Sequence, residues 1–80
     1  MRVAMDSRIF EFEAVFNQIR KDIPTIPSDE NLGAITTLVA RNGYSIGKRT
    51  AAALSYAVFH GRTAASLLEK MPEQLWPVRI

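Results

Sequence analysis

Five large apolar side chains are spaced three, four, three and four residues apart near the start of this 80-residue chain: Ile9, Phe12, Phe16, Ile19 and Ile23. An α-helix completes a turn about every 3.6 residues, so this spacing places all five on one stripe of a helix. A partial alternation from Ile9 to Glu13 is also compatible with a strand, but it fails after Ala14. The stripe therefore predicts a helix over residues 7–23.

The residues that flank this segment are typical of helix ends. Ser7 or Asp6 can accept a hydrogen bond from an amide of the first turn. Arg20 and Lys21 are suitably placed at the negative end of the helix dipole. Pro24 follows and stops the helix, because proline lacks the N–H that a further turn requires.

A second amphipathic segment follows a proline-containing connector. Ser28 or Asp29 can cap its start, and its apolar face is formed by Leu32, Ile35, Leu38 and Val39. Gly43 ends it, because glycine readily adopts the left-handed conformation that closes a helix. These features predict a helix over residues 29–42.

The third apolar segment covers residues 46–71 and is followed by Pro72, which cannot continue a helix. One broad face carries Leu54, Ala57, Val58, Gly61, Ala64, Ala65 and Leu68. Gly61 costs about 1 kcal/mol relative to alanine inside a helix. That cost is compatible with close approach of another backbone, or with a bend at Gly61 after which Thr63 caps a new helix. We predict one continuous helix.

Together these segments predict an all-α fold, a small helical bundle of three main helices and a short C-terminal turn, in one domain covering residues 1–80. We expect Trp76 in that turn to fold back on the core. A chain of this length buries only about 60–65% of the surface that its unfolded form exposes. It has no cysteine for a disulfide or a thiolate metal site, so stability must come from helix packing or from a partner.

The sequence also bears on the location of the protein. Its longest weakly polar run, residues 50–59, is much shorter than the roughly 20 residues that cross a bilayer. The first five residues contain one positive charge and no apolar run typical of a signal peptide. We therefore expect a cytoplasmic protein that does not contact membranes.

No residue pattern predicts catalysis, a cofactor or a metal site. The segment 43–50 resembles a phosphate-binding loop, but it has three residues between its glycines where four are needed, and Arg49 occupies the hydroxyl position. His60 has no neighbouring carboxylate or second histidine to make it a base or a ligand. Glu11 and Glu13 point in different directions on a helix. We expect a non-enzymatic protein without a small-molecule substrate.

The strongest functional signal is a segment that contains basic residues and no acidic ones. Residues 31–68 contain no Asp or Glu but include Arg41, Lys48, Arg49 and Arg62, within a chain of net charge +2. The first three flank the turn between the second and third helices, where Tyr44 also lies. We predict that these five residues contact DNA or an acidic protein.

A second apolar stripe on the third helix includes Tyr56, Phe59 and Leu67, offset from the core face. Small residues also recur at helical spacing: Ala53, Ala57, Gly61 and Ala65. The stripe can be buried between the other helices, or it can form a partner groove or a dimer interface. Tyr56, Phe59, Gly61 and Leu67 are therefore candidate protein-interface residues, and a homodimer is one expected state.

From Leu32 onward the chain resembles the Hha/YmoA family of small nucleoid-associated modulators. The shared residues are Asn42-x-Tyr44, Tyr56-Ala57, His60 with Arg62, and Lys70-x-Pro72 leading to Leu75-Trp76. The resemblance implies a fold of a few short helices. It also implies that the protein acts by binding H-NS-type silencers, which in turn hold DNA.

These observations favour a small regulatory binding module, with transcription modulation as one role, that uses a basic helix-turn corner against DNA or an acidic partner. The alternative is a protein-only interaction factor, such as an inhibitor or adaptor from a phage or plasmid, that uses the apolar helix stripe.

Overall fold

The computed structural model describes residues 6–24, 26 and 28–80. Its first helix, α1, is formed by Ser7–Asp22 and confirms the helix predicted from the apolar stripe. Asp6 is the cap, because its side chain accepts a hydrogen bond from the backbone N–H of Arg8 at 2.9 Å. The buried residues of α1 are Ile9, Phe12, Val15, Phe16 and Ile19.

The second helix, α2, is formed by Asp29–Arg41 and also confirms its prediction. Ser28 caps it by accepting a hydrogen bond from the Asn31 N–H at 3.2 Å. Gly43 follows the helix in the left-handed conformation, with φ of +88°. The helix buries Ile35, Leu38 and Val39.

The predicted continuous helix over residues 46–71 is wrong, because the chain turns at Gly61. The third helix, α3, is formed by Lys48–Phe59. Gly61 then adopts a φ of +67°, its N–H donates to the Val58 carbonyl, and the Arg62 N–H donates to the Ala57 carbonyl at 2.8 Å. This pair of bonds is the Schellman arrangement, which closes a helix around a left-handed glycine.

A short fourth helix, α4, is formed by Ala64–Leu68 and begins with a capping box. The Ser66 N–H donates to the Thr63 hydroxyl oxygen at 3.1 Å, and the Thr63 N–H donates to the Ser66 hydroxyl oxygen at 3.2 Å. Each residue satisfies an amide that the first turn leaves without an intrahelical acceptor. The alternative to a continuous helix, a bend at Gly61 followed by a new helix that Thr63 caps, is therefore the one that forms.

The C-terminal segment returns across the molecule and adds a strand pair that the sequence did not predict. After a 3-10 turn at Glu73–Leu75, strand β2 (Val78–Arg79) pairs antiparallel with strand β1 (Tyr44–Ser45), with Tyr44 opposite Arg79. Trp76 packs against the core as expected. Its indole N–H donates to the carbonyl oxygens of Leu68 and Met71 at 2.9 and 3.0 Å.

The molecule is a small all-α bundle, as predicted, with α2 packed on α3 and α1 packed on α4. One core joins all four helices and β1, and its largest fully buried side chains are Phe12, Phe16, Ile19, Ile35, Leu54, Leu68 and Val39. Within the described residues, no helix combines the length and apolar character needed to cross a membrane.

Candidate binding surfaces

Lys48 and Arg49, which we name the basic corner, are the first two residues of α3 and are both exposed. Gly47 caps the helix without a side-chain hydrogen bond, and no acidic residue occupies the first turn. The first-turn amides of a helix lack intrahelical acceptors and carry partial positive charge. Two cationic side chains and the positive end of a helix dipole therefore coincide at this point of the surface.

A groove of about 460 Å³ lies beside the basic corner. It separates the start of α3 from the returning C-terminal segment, and its lining residues are Ser45, Ile46, Gly47, Lys48, Arg49, Thr50, Gln74, Leu75, Trp76 and Val78. The Thr50 hydroxyl donates to the Leu75 carbonyl, which ties the two walls together. The groove is therefore open to solvent, with one hydrogen bond joining its two sides.

Arg41 and the basic corner line different grooves. Arg41 is exposed at the end of α2 and lines another groove, together with Gln18, Asp22 and Asn42. That groove shares no lining residue with the groove beside Lys48 and Arg49. Asp22 also adds a negative charge there. Arg41 therefore does not line the groove beside Lys48 and Arg49, and the convergence of the three cations around the Asn42–Gly47 turn stays a prediction.

Tyr44 lies in the core instead of among the binding side chains. It is 7% exposed, and its ring meets the Phe12 ring edge to face, with centroids 5.2 Å apart. The Arg79 guanidinium also lies over this ring, at 4.8 Å from its centroid. This burial corrects the expectation that Tyr44 contacts a ligand.

Arg62 lies beyond the other end of α3 and lines a third groove, the α3–α4 groove, of about 390 Å³. Its lining residues are Ala52, Ala53, Tyr56, Ala57, Arg62, Ser66, Leu67, Lys70 and Met71. The floor and walls are mainly carbon, while Arg62 and Lys70 contribute two cations and no Asp or Glu lines the groove. Neither cation forms an ion pair within residues 6–24, 26 and 28–80.

The predicted interface residues divide between this groove and its surroundings. Tyr56, which is 56% exposed, and the half-buried Leu67 both line the groove. Phe59 lies outside it, edge to face with His60, and His60 also contacts the Tyr56 ring at a centroid distance of 4.1 Å. Gly61 acts through its backbone, as the left-handed residue that ends α3.

Two arginines that the sequence did not single out surround a more enclosed cavity of about 170 Å³. Arg8 lies over the Trp76 ring and bonds to Asp6 at 2.7 Å and Glu73 at 3.3 Å. The hydrogen bonds from Arg8 lower the pKa of Asp6, and the same contacts raise the pKa of the Arg8 guanidinium.

Arg79, the second of these arginines, bonds to Glu11 at 2.8 Å. The two partners are 68 residues apart in the chain, so no local sequence signal predicts this contact. Because carboxylates already engage both arginines, this cavity offers less positive charge to a ligand than the basic corner does.

The part of the chain that the structure describes contains no cluster of three or more His, Cys, Asp or Glu side chains suited to a metal ion. His60 lies between two aromatic rings, those of Tyr56 and Phe59. Both neighbours contact it through their aromatic rings, so the local arrangement is one of ring packing.

No protein-family model, curated protein or solved structure matches this chain significantly. The resemblance to the Hha/YmoA family therefore stays a prediction from the residues alone.

Proposed function

We propose that this chain is a small, non-enzymatic binding module that contacts the phosphate groups of DNA through the basic corner. The main support is the position of Lys48 and Arg49: both are exposed, adjacent and outside any ion pair among the described residues. Phosphate contacts from Lys, Arg and helix N-termini supply most sequence-independent affinity for DNA. The corner offers all three kinds of donor together.

The cost of this arrangement to the fold also supports a binding role. Cations in the first turn of a helix oppose its dipole by about 0.3–1 kcal/mol each. The first turn of α3 has no acidic residue to offset them, in contrast to α2, which begins with Asp29 and Glu30. A bound phosphate would supply the missing negative charge.

The resemblance to nucleoid-associated modulators is compatible with a regulatory role in the cytoplasm, and transcription modulation is the role we propose. Arg41 and Arg62 are not part of the DNA surface in this proposal, because each lines a different groove. An acidic protein is the other ligand with suitable charge for the basic corner, and it is an outcome that the test below distinguishes.

The test is the affinity for a labelled DNA duplex, measured by fluorescence anisotropy at low salt. Lys48→Glu with Arg49→Glu should abolish binding. Arg62→Glu with Lys70→Glu is the matched control, because each double variant changes the net charge from +2 to −2, and the control should lose much less affinity. Equal losses would indicate a response to net charge alone. Absence of DNA binding by the wild-type chain would contradict the proposal.

A second candidate function is that of a protein-only interaction factor. The observation that favours it is the α3–α4 groove, where Tyr56 and Leu67 present apolar surface to solvent. This surface does not overlap the basic corner, so the two functions are compatible with one another.

A further inference from the structure

We infer that the α3–α4 groove binds an amphipathic helix of a partner protein, with acidic residues flanking the apolar face of that helix. The groove and the groove beside the basic corner have no lining residue in common. This inference rests on the second candidate function, which uses the same groove, and is independent of the proposed contact with DNA, so either can fail without the other.

The shape and lining of the groove favour a helix as the occupant. Its volume is about 390 Å³. Alanines from α3 form a low floor between the larger side chains of Tyr56, Leu67 and Met71. Such a depression suits the apolar side chains that a helix presents at positions i, i+4 and i+7.

An extended peptide would find fewer partners in this groove. Four of the lining residues, Ala52, Ala53, Tyr56 and Ala57, lie within α3, where backbone N–H and C=O groups bond to one another. Addition of a strand requires a sheet edge with available backbone groups, whereas no residue of β1 or β2 lines this groove. A helix needs only side-chain contacts and therefore suits the groove better.

The charges at the groove define the chemistry of the partner. Arg62 and Lys70 both line the groove and form no ion pair with the described carboxylates. Complementary charges across an interface favour one partner and raise the association rate. Carboxylates at the edge of an incoming helix would meet these two cations.

The same charges disfavour a second copy of this chain as the occupant. A two-fold dimer brings the same patch of both subunits together. Through this groove, it would place Arg62 and Lys70 near their own counterparts, while the lining contains no acidic residue to compensate. Juxtaposed like charges penalise such an interface.

The test uses two synthetic helical peptides of about 15–20 residues, long enough to form a measurable helix. Both have leucines at positions i, i+4 and i+7. One has glutamates beside them and the other has lysines at the same places. Affinities are measured by titration, and the site is located from chemical-shift changes at Leu67, Met71 and the groove alanines. We expect the acidic peptide to bind in the groove and the basic peptide not to bind.

Two pairs of variants make the test specific. Ala52→Trp fills the groove from an exposed position, and Ala40→Trp adds the same ring to an exposed position of α2 outside the groove. Ala52→Trp should lower the affinity for the acidic peptide at least about tenfold, whereas Ala40→Trp should leave that affinity unchanged. Arg62→Glu with Lys70→Glu should lower the affinity for the acidic peptide and allow the basic peptide to bind. Lys48→Glu with Arg49→Glu should leave acidic-peptide binding largely intact.

Three results would overturn the inference. Equal affinity for both peptides would remove the charge argument, and unchanged binding by Ala52→Trp would place the site elsewhere. A dimeric mass in solution that Ala52→Trp converts to a monomer would identify a second copy as the occupant. None of these results bears on DNA binding, so failure here is distinguishable from failure of the proposed function.

Discussion

The backbone N–H of Arg62 donates to the carbonyl oxygen of Ala57 at 2.8 Å, across the left-handed residue Gly61. This bond ends α3 and allows a second helix to start two residues later. It also determines the position of the α3–α4 groove, because the chain reverses at this turn and brings α4 back alongside α3. The geometry of one glycine therefore creates the apolar surface that a continuous helix would lack.

Gly61→Ala should destabilise the protein by about 1–2 kcal/mol, because an L-residue is strained in the left-handed conformation. A β-carbon at Gly61 would meet no atom within 4 Å, so backbone strain alone should produce the effect. Gly33→Ala, at an equally open position inside α2, should instead stabilise by up to about 1 kcal/mol. Thermal unfolding measures both changes, and stabilisation by Gly61→Ala would show that the helix continues through this position.

The basic corner should lower the stability of the isolated protein. Lys48→Glu with Arg49→Glu places acidic residues in the first turn of α3, where they favour the helix dipole, and should stabilise the fold by about 1–2 kcal/mol. The neutral variant Lys48→Gln with Arg49→Gln should increase the stability of the fold by an intermediate amount. Urea unfolding in the absence of DNA provides the measurement. A loss of stability in the Glu variant would mean that the two cations serve the fold.

The Asp6 cap should contribute to acid sensitivity. Its pKa is held below its ordinary value of 3.8, chiefly by the side-chain hydrogen bond from Arg8. A lowered folded-state pKa gives stability that is present above the unfolded-state pKa and is lost as pH falls through the folded-state value. The melting temperature of Asp6→Asn should therefore fall less than that of the wild type between about pH 4 and pH 2.

Glu69→Gln is the control for this experiment, because Glu69 is exposed and forms no ion pair within the described residues. Its melting temperature should follow the wild-type pH profile. If Asp6→Asn and the wild type lose stability in parallel, the contact between Asp6 and Arg8 does not contribute to acid unfolding.

The sequence predicted the features that depend on local spacing. The stripe that begins at Ile9 and the cap at Ser28 lie within single helices, and both were recognised from neighbours a few residues away. Gly61 shows the limit of such reasoning, because a glycine can either be tolerated inside a helix at a cost of about 1 kcal/mol or end the helix. Tertiary packing of α4 on α1 accompanies the turn, and local spacing does not encode that packing.

The candidate surfaces were harder to predict than the fold. Tyr44 is close in sequence to the basic residues, but its ring packs on Phe12 of α1. Arg41 and Lys48 flank the same turn, yet they line different grooves. Arg79 reaches both Tyr44 and Glu11 only because the C-terminal strand returns to β1. Each of these placements depends on contacts between segments distant in the chain.

The central claim is that Lys48 and Arg49 contact DNA phosphates, and the salt dependence of duplex binding tests it most directly. Each phosphate contact contributes about 0.9 to the slope of log affinity against log salt concentration. Lys48→Gln with Arg49→Gln should therefore reduce that slope by about 1.8, while Arg62→Gln with Lys70→Gln should leave it almost unchanged. A slope that is the same in the wild type and in the Lys48/Arg49 variant would contradict the claim.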